Sequence, residues 1–449
     1  MLPKLSRLLP RRGFAHGIHP PESKADTAAQ PIRQFPFAPL MIVPLLQHAG
    51  KAALPVVRAG QEVLRGELLA EPDGPLSVAM HAPASGRIEG IELAPSISGR
   101  MQPAIYLKPH PGSTQEAIEA PPCDVDTASP EEILQAIQWA GIVGLGGAAF
   151  PTHVKLKPPP GKPVDTLVIN GVECEPYLST DHRVMLEQPR DIFQGIRYLL
   201  KVSGARRALI GIEANKADAA GVLRAQRPAG LEVGVELLPV KYPQGAEKML
   251  IKALLGRTVP AGGLPSDVGV LTVNVATCAE IGRLLPRGQG IQERVVTITG
   301  PGVRQRGNYR IPIGTPLRFA LEHVGVSEEL SMVFLGGPMM GQALASLDIP
   351  ITKGSSGFVA FTRAETGRPA VEYPCIHCGY CVQACPMNLN PCDLGRFARK
   401  ERFEEMADGL QLFDCVECGC CSFVCPSHIP LVQSFRVAKN AVRKKRAAP

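Results

Sequence analysis

Two stretches near the C-terminal end, CIHCGYCVQACP (Cys375 to Pro386) and CVECGCCSFVCP (Cys415 to Pro426), repeat the spacing C-x2-C-x2-C-x3-C-P. Nothing else in the chain restricts its architecture as strongly. Thirteen cysteines are present, an odd number, and ten of them fall between Cys375 and Cys425. A disulfide scaffold would spread its cysteines along the chain and pair them. Crowding of this kind is the signature of metal sites in a reducing compartment. Thiolate is a soft, strongly donating ligand and suits iron.

In this spacing three close cysteines wrap one face of a [4Fe–4S] cube, and the fourth reaches the other cube of a two-cluster ferredoxin. One cluster is therefore expected on Cys375, Cys378, Cys381 and Cys425, the other on Cys415, Cys418, Cys421 and Cys385. Pro386 and Pro426 turn the chain away. Structural zinc sites use CxxC pairs, which would not call for two complete copies with a trailing proline. Cys392 and Cys420 fit neither set. Two clusters held this way form a wire, and a wire needs a donor and an acceptor.

The chain has 449 residues, too many for one core, and its length suggests roughly three domains. Gly 45 and Pro 44 favour turns and β-rich pieces over helix bundles. The net charge of +7 gathers at the ends, in KLSRLLPRR and RVAKNAVRKKR, clusters able to meet RNA, anionic lipid or an acidic partner. The start lacks the apolar region of a secretion signal. The longest apolar run, APLMIVPLL, is broken by proline and far short of the ~20 residues that span a bilayer.

The pattern along the chain predicts a multidomain α+β protein. Residues 1–34 read as an extended arm. Residues 35–112 alternate in short apolar stretches and resemble a barrel-sandwich (lipoyl/biotinyl-like) unit. Carriers of that fold present a lysine at a hairpin tip. Here the tip is EPDGPL, so a structural or docking role is expected. Residues 128–288 alternate strands with helices, beginning with an N-cap at Ser129 followed by Pro130, and predict a Rossmann-like α/β unit with a parallel sheet. A β-grasp module is expected over 290–346, then a Gly/Ser-rich connection through TKGSSG, the ferredoxin-like domain over 366–432 and a basic helix or tail over 433–449.

GIVGLGGAAFPTHVKL (Gly141 to Leu156) is a glycine-rich loop, a weak signal alone. Its neighbour VINGVECEPYLSTDHR ends a strand at Asn170 and adds Glu173 and Glu175, at the strand end where open α/β sheets bind ligands. GLGGAAFPTHVKL resembles the flavin loop of the NADH-oxidising subunit of respiratory complex I. NGVECEP, YPQGAEKMLIKALLG and VNVATCAEI resemble further segments of that subunit. With the HGIHPPESK start, the barrel-sandwich unit, the β-grasp module and the twin cysteine motif, nearly the whole chain is similar to the RnfC family of the Rnf electron-transport complex.

That resemblance implies a peripheral NADH-oxidising subunit on the cytoplasmic face of a bacterial inner membrane. Hydride from NADH would pass to non-covalent FMN, and single electrons through two [4Fe–4S] clusters to integral membrane subunits and, indirectly, ferredoxin or flavodoxin. No nucleic acid is implied. FMN would meet Gly144, Gly146, Gly147, Lys155, Asn170, Glu173, Glu247, Asn274 and Thr277, and the nicotinamide nucleotide Phe150 and Glu175. No side chain is implied as nucleophile or general base. Leu145, Val172, Ala246 and Val273 depart from the complex I pattern, which has arginine, aspartate, glutamate and asparagine there. The competing readings are a cobalamin reductase of a propanediol microcompartment and a non-enzymatic iron–sulfur relay. His153 is read as a phosphate contact or a solvent-facing loop residue, and Trp139 as a core anchor.

Overall fold

The computed structural model describes residues 13–367 and 371–447, so the basic stretch KLSRLLPRR lies outside the described residues. Short alternating stretches build two small antiparallel sheets in the barrel-sandwich unit. One has the order Met41–Pro44, Met101–Pro109, Gly86–Pro95, Glu62–Val63, and the other Leu54–Pro55, Leu68–Glu71, Met80–His81. Val43, Val63, Leu69, Met80, Ile88 and Leu107 join one apolar cluster from both sheets. The tip between Leu68–Glu71 and Met80–His81 is clamped onto the next unit. Gln138 Nε2 donates to the carbonyls of Gly74 (3.1 Å) and Ser77 (3.0 Å). His153 Nε2 lies 2.8 Å from the Pro75 carbonyl, so this histidine holds the tip.

The central unit opens with the helix Pro130–Trp139. Ser129 Oγ accepts from Glu132 N while Glu132 Oε2 accepts from Ser129 N, a complete capping box. Trp139 is 41% exposed, contrary to the core role expected, because it lies at the last helical turn beside a surface groove. The sheet is wholly parallel, in the order Val233–Leu238, Arg207–Glu213, Thr166–Gly171, Val270–Asn274. Helices Pro189–Ser203 and Val275–Leu284 press together through glycines. A Cβ at Gly195 would lie 1.9 Å from the Cys278 carbonyl oxygen, and one at Gly282 equally close to that of Asp191.

Past Gln292 the sheet has six strands, with Glu293–Thr299 and Gly357–Thr362 as parallel neighbours near its middle. The stretch TKGSSG therefore leads into an interior strand of this sheet, and the module runs to Thr362 where the sequence suggested residue 346. The arm differs from expectation too. Ile32–Gln34 adds a parallel edge strand beside Gly307–Pro312, Ala25–Ala28 is helical, and Ile18 bridges to Tyr242. Backbone groups near an open sheet edge need partners, and the arm supplies them.

The cysteine-rich unit is helical, and Leu431–Ala447 is its longest helix. Leu431, Phe435, Ala438 and Val442 are buried against it, so this helix is an integral wall of the domain and starts before the tail expected at 433. Part of its charge is neutralised within the chain, through Lys439–Glu417, Arg436–Glu417 and Arg446–Asp408.

Lys353 joins three units. It is 1% exposed, and its Nζ donates to the carbonyls of Ala79 (2.6 Å) and Gly141 (2.8 Å), while its backbone N donates to Gln47 Oε1. Replacing Lys353 by Met would leave both carbonyls buried and unpaired, at ~1–3 kcal/mol each. The first calorimetric transition of Lys353→Met is expected several degrees below the parent's. An unchanged first transition would show that the lysine is dispensable to the junction.

Candidate functional site

Strand order fixes where the crevice lies. From Thr166–Gly171 the chain adds two strands on one side, then returns to place Val270–Asn274 on the other. The sheet changes direction between these strands, and open α/β sheets bind ligands at the carboxyl ends of such a pair. Asn170 and Asn274 are register partners there. Asn170 Nδ2 donates to the Gly245 carbonyl (2.9 Å), and its Oδ1 accepts from Val172 N. Asn274 caps the helix Val275–Leu284, with Oδ1 accepting from Ala276 N and Thr277 N, and its Nδ2 donates to Asp181 Oδ2 at 2.8 Å.

The glycine loop closes over this pair. Gly144 N donates to the Phe150 carbonyl (2.8 Å), and Ala149, with φ 47°, returns its N–H to Gly144 O. Leu145 is buried. Its N–H donates to Thr277 Oγ1 (2.9 Å), and its carbonyl accepts from Arg294 Nη2 (2.9 Å). A Cβ at Gly146 would lie 3.1 Å from Asn274 Nδ2, whereas Gly147, at φ 98°, faces open space. Phe150 is 37% exposed. Lys155 Nζ donates to Glu247 Oε1 (2.6 Å) and Thr272 Oγ1 (3.2 Å), at the first turn of Glu247–Leu255, whose N-cap Ala246 has no capping side chain. Gln244 is fully buried, and among the described residues neither side-chain amide atom has a hydrogen-bond partner.

Two of the expected contacts are engaged elsewhere. Glu173 caps the helix Thr180–Glu187 by accepting from Asp181 N (3.0 Å) and His182 N (3.3 Å), while Lys24 donates to its carbonyl. Glu175 accepts from Met340 N (2.6 Å) and Met339 N (3.2 Å), on a loop of the β-grasp module. Burial pushes its pKa up, against the pull of those two N–H groups. The structure also gathers residues that the sequence reading missed. Asp181 lies in the crevice, and buried Arg294 steadies the loop. A charge inside the apolar strand stretch ERVVTIT was the available signal for Arg294.

The cysteines sort into two cavities. Cys375, Cys378, Cys381 and Cys425 line one, of about 170 Å³. Cys385, Cys415, Cys418 and Cys421 line the other, together with Cys420. The two motifs share one backbone form. His377 and Glu417 have φ 54° and 56°, Gly379 and Gly419 φ 78° and 79°, and Asn388 and His428 φ 55° and 53°. Left-handed positions beside right-handed ones turn successive N–H groups into one concavity that receives anionic centres. Crossed thiol sets in two such concavities fit [4Fe–4S] cubes.

A seam connects crevice and cavities. Tyr242 Oη donates to the Cys418 carbonyl (2.7 Å) and lies 3.4 Å from Glu175 Oε1. Gly17 N donates to Ala384 O (3.2 Å), and Gly262 N to Asp414 Oδ1 (2.9 Å). Ile18, Tyr242, Ala384, Cys418 and Cys420 form one buried apolar cluster. The Cys415-motif cavity is therefore the one beside the α/β unit. In the other motif Cys375 and Cys378 are exposed.

Four family models match the chain: the Nuo51 FMN-binding domain over residues 137–283, the RnfC barrel sandwich hybrid domain over 12–111, the SLBB domain over 295–343 and the 4Fe-4S dicluster domain over 374–429. The chain is 42% identical over 435 residues to the C-type subunit of the proton-translocating ferredoxin:NAD(+) oxidoreductase complex of Clostridium ljungdahlii, covering 96% of this chain and 94% of that protein. It is 39% identical to the Na(+)-translocating counterpart of Acetobacterium woodii, over 96% and 97% of the two chains. To the equivalent protein of the ion-translocating oxidoreductase complex of Rhodobacter capsulatus it is 40% identical, over 98% and 85%.

Burial and the neighbouring Glu173 push the Asp181 pKa from 3.8 to about 7. The folded chain thus keeps a proton that the unfolded chain releases, and ionising this carboxyl costs stability as pH rises from about 4 to 7. Asp181→Asn removes that cost and keeps an acceptor for Asn274. The drop in melting temperature between about pH 5 and about pH 8 is expected to be smaller in Asp181→Asn than in the parent. An equal drop in both proteins would place the titration elsewhere.

Proposed function

The chain belongs to the RnfC family of ion-translocating ferredoxin:NAD(+) oxidoreductase complexes, and on that premise we propose that it is the peripheral subunit through which such a complex exchanges electrons with NAD(H). The carrying observation is the Tyr242–Cys418 seam, which joins a crevice of flavin-site character to two thiol-lined cavities in series. FMN would supply the conversion between a two-electron hydride donor and one-electron carriers, the latter being two [4Fe–4S] clusters.

The chain's own residues act by binding and positioning. Gly147 leaves room for close approach of a flat ligand, Gly146 lets the loop pack on Asn274, and Asn170 and Asn274 mark the carboxyl end of the sheet beneath it. Lys155 offers a positive charge at an uncapped helix N-terminus, where phosphate groups are favoured. Buried Gln244 has an unmet polar demand in the same loop as Gly245. Phe150, partly exposed, would stack with the nicotinamide nucleotide. Glu173 and Glu175 act one step back, by fixing the helix and the loop they hold.

The wire runs from the Cys415, Cys418, Cys421 and Cys385 set, next to the seam, to the Cys375, Cys378, Cys381 and Cys425 set, whose first two thiols reach the surface. Exposed Ile376 and Tyr380 surround that exit and suit an integral membrane partner, with ferredoxin or flavodoxin further along. Among the described residues no helix is long and apolar enough to cross a membrane, so attachment to the cytoplasmic face of the inner membrane would come through partners.

Anaerobically purified protein reconstituted with FMN, iron and sulfide is expected to bleach in its flavin and iron–sulfur absorbance on adding NADH. Cys378→Ala should still let NADH reduce the remaining cluster, seen by electron paramagnetic resonance. Cys418→Ala should leave flavin bleaching but slow reduction of the distal cluster. Failure to bind flavin or respond to NADH leaves only the relay reading, and the opposite pattern in the two variants reverses the order of the wire.

A further inference from the structure

Cys392 belongs to neither crossed set, yet it lines the same cavity as Cys375, Cys378, Cys381 and Cys425. Its Sγ lies 3.8 Å from Cys375 Sγ and 3.9 Å from His377 Nδ1. Ligand atoms of these three residues all fall within 4.8 Å of one another. Cys420, the other thiol left over, is fully buried in the seam cluster with Ile18 and Tyr242.

The two neighbouring thiols are held differently. Cys392 is the second residue of the helix Pro391–Ala398, whose N-terminus is fixed by Asn390 Oδ1 accepting from Asp393 N (3.2 Å). Cys375 sits on a non-helical approach, tied down through Tyr373 N to Ser427 O (3.0 Å) and Ser427 Oγ to Pro374 O (2.9 Å). It is exposed, whereas Cys392 is half-buried. Oxidation and alkylation select exposed thiols, so Cys375 and Cys378 are the vulnerable corners of the outer site, and Cys392 is the thiol beside Cys375.

We propose that Cys392 is a reserve ligand of the outer iron–sulfur site. When Cys375 is lost or blocked, the Cys392 thiol gives its proton to solvent and its sulfur bonds the iron that Cys375 would have held. One S–Fe bond replaces another, and no electrons change hands. A sulfur in contact with Cys375 can serve the same corner with a small rotation of its side chain. The inference rests on the two-cluster reading above.

The test uses the full-length chain, assembled and handled without oxygen, with iron, acid-labile sulfide and low-temperature resonance spectra of the dithionite-reduced protein as readouts. Cys375→Ala is expected to keep the parent's iron and sulfide with altered g-values, and Cys392→Ala to keep both unchanged. Cys378→Ala and the double variant Cys375→Ala/Cys392→Ala should each lose about half the iron. If the parent holds both clusters and Cys375→Ala falls to the level of Cys378→Ala, the reserve role alone is overturned. Full iron in the double variant overturns it in favour of another donor such as His377, and iron loss in Cys392→Ala makes Cys392 an obligate ligand instead. A parent with iron for one cluster overturns the two-cluster reading and the reserve role with it.

Discussion

The hydrogen bond from Tyr242 to the Cys418 carbonyl is the contact on which the arrangement of this molecule turns. Tyr242 precedes the loop that carries Gly245 and Glu247 at the crevice, and Cys418 lies on the wall of the inner cavity. One side chain thus spans the two chemistries. Burial, reinforced by Glu175, raises the tyrosine's pKa, so the hydroxyl remains a donor throughout the working range. Glu175 adds the third party by holding Met339 and Met340, and Gly419 packs against the Met339 carbonyl with no space for a Cβ. The α/β unit, β-grasp module and cysteine-rich unit therefore meet at one buried polar point. Such points are costly when half-satisfied and rigid when complete.

Both outer units brace this arrangement. A hairpin tip that carriers of the same fold would swing is held by Gln138 and His153. Its Asp73 pairs with Lys51 inside its own unit. Lys439, 4% exposed, donates to the Cys415 carbonyl and pairs with Glu417. This ion pair and hydrogen bond tie the helix Leu431–Ala447 to the loop that carries Cys415.

Legibility in the sequence followed the range of the interaction. Spacing alone suggests the crossed thiol sets, because a C-x2-C-x2-C loop is local; the thiols of each set line one cavity, joined by Cys392 in the first and Cys420 in the second. Ser129 and Pro130 marked a helix start for the same reason. The arm carries no periodicity in sequence because its partners lie far away: Ile32–Gln34 pairs near Asn308, and Lys24 donates to the Glu173 carbonyl. TKGSSG looked like a linker since glycine and serine carry no periodicity, although Gly357–Thr362 is an interior strand. Glu173 and Glu175 were legible as residues of the site region. Their partners, backbone N–H groups of Asp181, His182, Met339 and Met340, leave no mark in a side-chain pattern.

The four departures from the complex I pattern look at first like a site stripped of polar groups. Leu145, Val172 and Val273 are all buried, so each apolar side chain has joined the core. What the positions still offer to the crevice is backbone. Leu145 uses both its N–H and its carbonyl to fix the glycine loop, and Val172 N anchors Asn170. Ala246 gives the helix Glu247–Leu255 no side-chain cap beside Lys155. Buried apolar anchors with backbone hydrogen bonds hold a loop more firmly than solvated charges, which contribute little at a surface. The glycine loop is thus fixed by backbone hydrogen bonds in place of side-chain charges, and a planar ligand would come closest to it at Gly147, whose Cβ position is open.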